Sequence, residues 1–536
     1  MGEGHGRPAG YSRCTRHGER NAEDQDRRDD QLAVSAAIQA VESSGPAGVA
    51  RAKGTTPKWC TTSAVKQIEM HPDRLFPADP GVRGLARSIY SVVRDVPIIS
   101  PHGHLDPALL VENTSFTDPS SLFVTPDHYV TRMLHALGVD LARISPQRAH
   151  DDRGAPSPRE VWRLFCEHWA SFRGTPSRYW IESELIDVFG VSVQPGPETA
   201  DALYDELVAK LASPEFRPRA LFKRFRIEVI ATTDDPCSEL AAHRSLAADT
   251  TWTGRVVPTF RPDNYLDPAA DDWQRRVALL GTAADADTGD YDGYIDALER
   301  RRAFFAQHGA TSTDHGPADA ESEPLSSAEA RRIYAAALRR SATLSECTAF
   351  RRHMLGEMAR MACDDGMVMQ LHSGVLRNHH APTYAAYGAD TGHDIPVAAE
   401  FTRALQPLLC RYGTHPRFRL VIFTVDETTW SRELAPLAGF YPSVFVGAPW
   451  WFLDTPSAML RFREAVTDTA GFHKTSGFVD DTRAFCSIPA RHDMARRVDC
   501  GYLARLVAAH RLSEDEAFET AHALAYRLPR DVFRLT

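Results

Sequence analysis

The stretch VPIISPHGHLD, residues 96–106, runs an apolar segment into two histidines, His102 and His104, one residue apart. Side chains alternate along a strand, so residues at i and i+2 point the same way. Paired neutral imidazoles are common ligands for zinc and similar divalent ions, and an acidic third ligand completes an open catalytic site. KTSGFVDDTR (474–483) offers that acid in Asp480 and Asp481, followed by Arg483. Asp481 is suited to ligate a metal or to act as a base. Arginines also end other runs, Arg261 in TFRPDN and Arg377 in VLRNHH. Guanidinium forks bind planar carboxylates bidentately, so several around one cavity point to an anionic substrate. The PWWF stretch supplies Trp450 and Trp451; on a strand, one faces the axis, where it can stack on a sugar, and the other faces the helices. His372 and His315 end two further runs and are candidate ligands or proton carriers. Taken singly, each of these residues has a plainer role as a structural histidine, a solvated turn, a salt bridge or core.

Their joint meaning depends on the elements that carry them. Eight short apolar or β-branched runs each finish in polar residues: VPIISPHGH (96–104), IEVIATTDDP (227–236), GRVVPTFRPDN (254–264), GATSTDHG (309–316), GMVMQLHSG (366–374), RLVIFTVDE (419–427), SVFVGAPWWF (443–452) and KTSGFVDDTR (474–483). Segments of helical character separate most of them. Eight parallel strands alternating with helices predict an α/β fold, a (β/α)8 TIM-like barrel, with chemistry at the C-terminal strand ends. Strand eight lies beside strand one in a closed barrel, so Asp481 reaches the two histidines. Runs one and two are about 120 residues apart. MLHALGVDLARI and VWRLFCEHWASF between them have helical periodicity, which predicts a helical insertion at about 107–225 on the active-site face. Residues 1–62 are rich in Gly, Arg, Asp, Glu and Ser and read as a disordered tail, leaving 63–536 for the barrel. DHGPADAESEPLSS (314–327) reads as an acidic surface loop ending in a capping box, Ser326 to Glu329. A second box, Ser513 to Glu516, opens the last helix, which Pro529 is expected to close.

The bulk numbers exclude several classes. The chain has 536 residues, 43% of them hydrophobic, enough for a large core, and a net charge of -10. That charge offers no basic stripe for nucleic acid. No window approaches the roughly 18 uncharged apolar residues of a membrane helix. MGEGHGRPAGYSRC lacks the apolar core of a secretory signal. Nine cysteines without a C-x-x-C pair suit a reducing compartment, so a soluble cytoplasmic protein is expected.

From about residue 70 onward the chain resembles the uronate (glucuronate) isomerase family, an outlying branch of the amidohydrolase superfamily. The resemblance rests on an ordered set: HPDRLFPADP, PHGHLDP, the DHY of TPDHYVTRML, ATTDDP, PTFRPDN, RRAFFAQHGATSTDHG, MQLHSGVLRN, DTGHD, GAPWWF and DDTRAF. It implies interconversion of D-glucuronate with D-fructuronate, and of D-galacturonate with D-tagaturonate, by C2–C1 proton transfer through an enediol. It implies one divalent metal, usually zinc, on His102, His104 and Asp481. It assigns His128 and Tyr129 as a catalytic pair in the insertion, Arg261 and Arg483 to the substrate, and Trp450 as the motif tryptophan. It implies a homo-oligomer whose partner is the small uronate, not nucleic acid or membrane. A tyrosine carries the C2 proton only if its pKa falls well below 10, through a cation or His128 nearby. Tyr129 is preferred for the proton and Asp481 for the metal and ring hydroxyl, with Asp481 the alternative base.

The chain departs from the superfamily's hydrolases, which carry a lysine on strand four and a histidine on strand six; here these end TDHG and TVDE. That favours a single metal over a binuclear, water-activating centre. The competing readings are a metal-dependent hydrolase or decarboxylase, and a non-catalytic sugar-acid-binding barrel that would need the arginines but not the proton-transfer groups.

Overall fold

Seven parallel strands follow one another in chain order. In the computed structural model, which describes residues 66–144 and 156–536, they are β1 (Ile98–Ser100), β2 (Ile227–Ala231), β3 (Arg255–Val257 and, past Pro258, Thr259–Phe260), β4 (Ser312–His315), β5 (Val368–His372), β6 (Leu420–Phe423) and β7 (Val444–Val446). Pro258 has no N–H to give the ladder, which is why β3 comes in two pieces. Each strand pairs in parallel with the next. Most of their residues are buried, as expected of parallel strands covered on both faces.

The eighth run closes the ring as extended chain, not as a regular strand. Thr475 bridges Val446 of β7, and the His104 N–H donates to the Thr482 carbonyl 3.1 Å away. The interruption has a local cause. Gly477 turns at φ +72°, and a Cβ there would meet Pro529 Cδ at 2.4 Å, so the backbone bends sharply where pairing would continue. The eight-run reading thus finds its barrel, with the last member reduced to its two ends.

Helices cover the outside. α1 (Pro80–Val93) carries Ala86, Ile89 and Val93 against Cys500, Leu503 and Ala504 of the long C-terminal helix Ile488–Ala508. Between β1 and β2 the described residues form α2 (His128–Ala136), α3 (Pro158–His168), α4 (Pro176–Ser183) and shorter pieces. Their aromatic core includes Phe123, Trp162, Phe165, Trp169, Phe172 and Phe189. Asp127, Ser157 and Thr175 cap the three helices by accepting backbone N–H bonds, and Pro158 and Pro176 take the first turns, where their missing N–H costs nothing. α5 (Ser327–Leu338) and α6 (Ile488–Ala508) follow later in the chain, and α7 (Glu514–His522) after them; α5 and α7 open on the two expected capping boxes.

Two expectations are corrected. Pro529 does not close the last helix but sits in the first turn of a further one, Leu528–Val532. The stretch 314–327 is not a surface loop throughout: Asp314 and His315 are buried in β4, Ser322 is buried, and Asp319 is tied to Arg351 and Arg352. The chain divides into two units, Met1–Ala64 and Val65–Thr536. The tail expected over 1–62 lies outside the described residues. Among the described residues no helix is long and apolar enough to cross a membrane.

Candidate metal centre and substrate cavity

β1 stops at Ser100, and the chain beyond it turns both histidines toward the end of the eighth run. His102 Nε2 lies 3.3 Å, and His104 Nε2 3.1 Å, from Asp481 Oδ1. Asp481 adopts φ +41°, and its neighbour Asp480 is anchored 3.0 Å from His492 Nε2 of α6, so the two adjacent acids part in opposite directions. Burial pushes the Asp481 carboxyl up, but His102 and His104 more than reverse this and hold it well below the ordinary carboxylate range. Although two imidazoles stand beside it, buried Asp481 Oδ1 has no well-formed hydrogen bond. Three donor atoms within 4.8 Å of one another, with an ionised carboxylate that hydrogen bonds do not satisfy, fit a divalent cation.

His102 belongs to a second such group with Asp314 and His372. Here the carboxylate is already partnered in charge: Asp314 Oδ2 is 3.0 Å from Arg261 Nη1, and Oδ1 is 2.7 Å from His372 Nδ1. His372 lies flat on Phe423, ring centroids 4.3 Å apart. Asp314 is absent from the motif-based set, which takes His315 as the functional end of run four; the alternation of STDH is the signal that points to Asp314 instead. The same alternation places His315 on the opposite face, with its Nε2 2.9 Å from Thr313 Oγ1, outside the lining of the cavity. His315 is therefore not a ligand.

The cavity above these groups measures about 560 Å³, in the range of small-molecule sites. His102, His104, His128, Tyr129, Arg261, His372, Arg377, Trp450, Asp481 and Arg483 all line it. Each arginine is paired to an acid: Arg261 to Asp263 at 3.0 Å, Arg377 to Asp394 at 3.1 Å, and Arg483 to Asp390 at 2.9 Å. Both tryptophans line the cavity, against the expected division of one inward and one outward. β7 ends at Val446, and Trp451 turns to φ +52°, so strand alternation no longer governs them.

His128 and Tyr129 open α2. Asp127 Oδ1 accepts from the Tyr129 N–H at 2.8 Å, which fixes the first turn and with it the phenol. The two rings stack with centroids 4.7 Å apart. Burial, helped by Arg483, pushes His128 down to about 3, so it is neutral and supplies no charge to its neighbour. Burial holds Tyr129 well above the ordinary phenol range against the pull of a cation outside every motif, Arg491, so the lowered pKa required of a tyrosine base is not found. Arg491 comes from α6, far from every motif.

The comparisons with known proteins agree with one another. A family model described as glucuronate isomerase matches residues 82–533. The uronate isomerase of Xanthomonas axonopodis pv. citri is 51% identical over 468 residues, 87% of this chain and 99% of that protein. The crystal structure of glucuronate isomerase from Caulobacter crescentus superposes with a TM-score of 0.85 at 45% identity, covering 88% of this chain and 98% of that one. The uronate isomerase structure from Thermotoga maritima gives 0.81 at 28% identity, covering 87% and 100%.

Proposed function

The chain belongs to the glucuronate isomerase family and catalyses uronate isomerisation, and on that premise we propose how its own residues do so. The substrates are D-glucuronate, giving D-fructuronate, and D-galacturonate, giving D-tagaturonate. The observation that carries the reading is one cavity lined by a phenol, a histidine–aspartate metal set and four arginines.

Arg261, Arg377 and Arg483 present guanidinium groups to the C6 carboxylate and so fix C1 and C2 in the cavity. Trp450 and Trp451 offer aromatic faces to the sugar's C–H surface. Asp481, the alternative base and held ionised, takes the C2 proton of the open-chain aldose, and the neutral Tyr129 hydroxyl donates to O1. The C–H electron pair forms the C1–C2 double bond, and the C1 carbonyl pair moves to O1. The proton returns to C1, and the O2 proton passes to O1, which leaves the ketone at C2. His102, His104 and Asp481 would hold one divalent ion, zinc by the donor set, which would supply a Lewis acid to the sugar's oxygens. Asp481 in addition accepts from a ring hydroxyl during opening. Self-association fits the apolar side chains Leu376, Tyr384, Ile395 and Val397, exposed beyond β5. The cytoplasm, where the scattered thiols stay reduced, is the compartment.

Proton NMR with D-glucuronate in deuterated water tests this directly. The expected outcome is fructuronate, with solvent deuterium or transferred protium at C1, and loss of turnover on chelation. Metal-replete, folded protein that converts neither uronate would overturn the reading.

A further inference from the structure

Each of the four arginines that line the cavity already holds a carboxylate, so a uronate arrives as surplus negative charge. One resident acid has to yield, and three of the four are fixed from a second side. Asp314 is 0% exposed in β4, between Arg261 and His372. Asp394, paired to Arg377, also accepts the Asn378 N–H at 2.6 Å. Asp454 is buried beneath Arg491. The fourth acid, Asp390, has a side chain 42% exposed. Among the described residues it accepts one side-chain hydrogen bond, from Arg483 Nη2 at 2.9 Å. Burial pushes its carboxyl up, but Arg483 more than reverses this and holds it below the usual range, so it is ionised.

Asp390 rides on a hairpin that leaves the barrel after β5. Two short antiparallel strands, Val375–Leu376 and Ile395–Pro396, form its base. That base is tied down by the Arg377–Asp394 pair and by the Arg377 guanidinium, which lies 4.8 Å over the Trp451 ring. The tip is built differently. Gly388 turns at φ +76°, and a Cβ there would meet nothing within 4 Å. Asp390 follows at φ +60° and Gly392 at φ +88°, the latter lying against Arg132 of α2. Left-handed positions on both sides of Asp390 let the tip reorient while the strand pairing beneath it stays intact. Ala389 and Asp390 line the cavity from this tip. Arg483 carries one charge and so neutralises one carboxylate. Two on the same fork would leave a net negative charge in a cavity that ionised Asp481 already makes negative.

We propose that Asp390 is a specificity residue of this site: it stands on Arg483 in place of the uronate carboxylate and gives the guanidinium up only to a sugar that carries one. The inference rests on Arg483 binding the C6 carboxylate. The exchange is cheap, because an exposed ion pair contributes little net and Asp390 has solvent to turn to. An uncharged sugar has nothing with which to release Asp390, which then keeps the tip over the cavity. The apparent affinity for uronate is lowered by the share of molecules in which Asp390 occupies Arg483.

Calorimetry and amide hydrogen exchange on the metal-replete full chain test this. The probes are the methyl glycoside of D-glucuronate, which keeps the carboxylate but cannot open, and the methyl glycoside of D-glucose, its uncharged counterpart. In the unaltered protein the charged glycoside should speed exchange over residues 388–392, and the uncharged one should not. Asp390→Asn preserves the turn, since Asn enters the left-handed region as readily as Asp. It should bind the charged glycoside about two- to fivefold more tightly, exchange fast at the tip without ligand, and lose the response. Weaker binding by Asp390→Asn would overturn the inference and make Asp390 a prop for Arg483. Tighter binding with no ligand response at 388–392 in the unaltered protein would also overturn it, as the effect of a removed charge alone. So would an equal response to both glycosides. Arg483→Met separates the two levels: if it binds the charged glycoside as the unaltered protein does, the clamp reading itself fails. If it binds weakly while Asp390→Asn behaves as the unaltered protein, only the role of Asp390 fails.

Discussion

Asp481 and Arg483 are two residues apart, yet the cavity gives them different work, and substitution should separate the two. Asp481 contributes the only carboxylate of its donor group, so Asp481→Asn keeps the shape and loses the charge. Metal content by mass spectrometry should fall below one ion per chain, and turnover should drop ~10²-fold or more, the worth of a few kcal/mol of charge stabilisation. Arg483→Met should hold its metal and instead raise KM for uronate by ~10–100-fold, the value of about 1.5–3 kcal/mol for a charged hydrogen bond. If Arg483→Met altered kcat alone, the carboxylate clamp would be wrong. At this scale a residue was legible in the sequence when its motif and its partners shared strand ends. His102, His104 and Asp481 end runs one and eight, which a closed barrel makes neighbours. Arg491 ends nothing: its partner Asp454 is 37 positions away and Trp180 more than 300, joined only by packing.

At the scale of elements, α2 shows how an insertion delivers chemistry to a barrel. Its N-terminal turn carries Tyr129, and Asp127 secures that turn through the Tyr129 N–H. Asp127→Ala should cost about 1 kcal/mol of stability and lower kcat, because the phenol loses its fixed start. Asp127→Asn caps equally well and should restore both, which denaturant unfolding and steady-state kinetics can check in parallel. Equal losses in Asp127→Asn would mean that the charge of Asp127, not its cap, matters to the site. The helices of this region were readable from apolar periodicity, and α3 from its capping box. What periodicity does not contain is the turn chemistry of the eighth run. KTSGFVDDTR has the composition of a strand, but Gly477 folds it against Pro529, a contact set by the chain's far end. The strand alternation that would part Trp450 from Trp451 likewise stops short of PWWF, at Val446.

For the molecule as a whole, burying so many titratable groups couples stability to pH, and the signs oppose one another. Burial pushes His128 and His315 down to about 3 and His243 to about 4. An unfolded imidazole titrates near 6.5. Between these values the unfolded chain binds more protons, so each histidine's contribution is complete above pH 6.5 and is lost as pH falls. Burial does the reverse to acids, raising Asp454 to about 7 and Asp234 to about 6. There the native state binds the extra proton, so stability is gained as pH falls through the same window. The net curve is a difference of like-sized terms, and its flatness or slope identifies neither set. A single-site difference does. His315 is fully buried, with Thr313 Oγ1 beside its ring, and lies outside the cavity. His315→Gln keeps a polar group and removes the titration. Between pH 7 and pH 5 the wild-type chain should lose up to about 2 kcal/mol more than the variant, at 1.36 kcal/mol per pKa unit over the 1.5 units below 6.5. Urea midpoints for both proteins at both pH values measure this double difference, in which the carboxyl terms cancel. If the two proteins lose the same amount, His315 is not held neutral by its burial in β4.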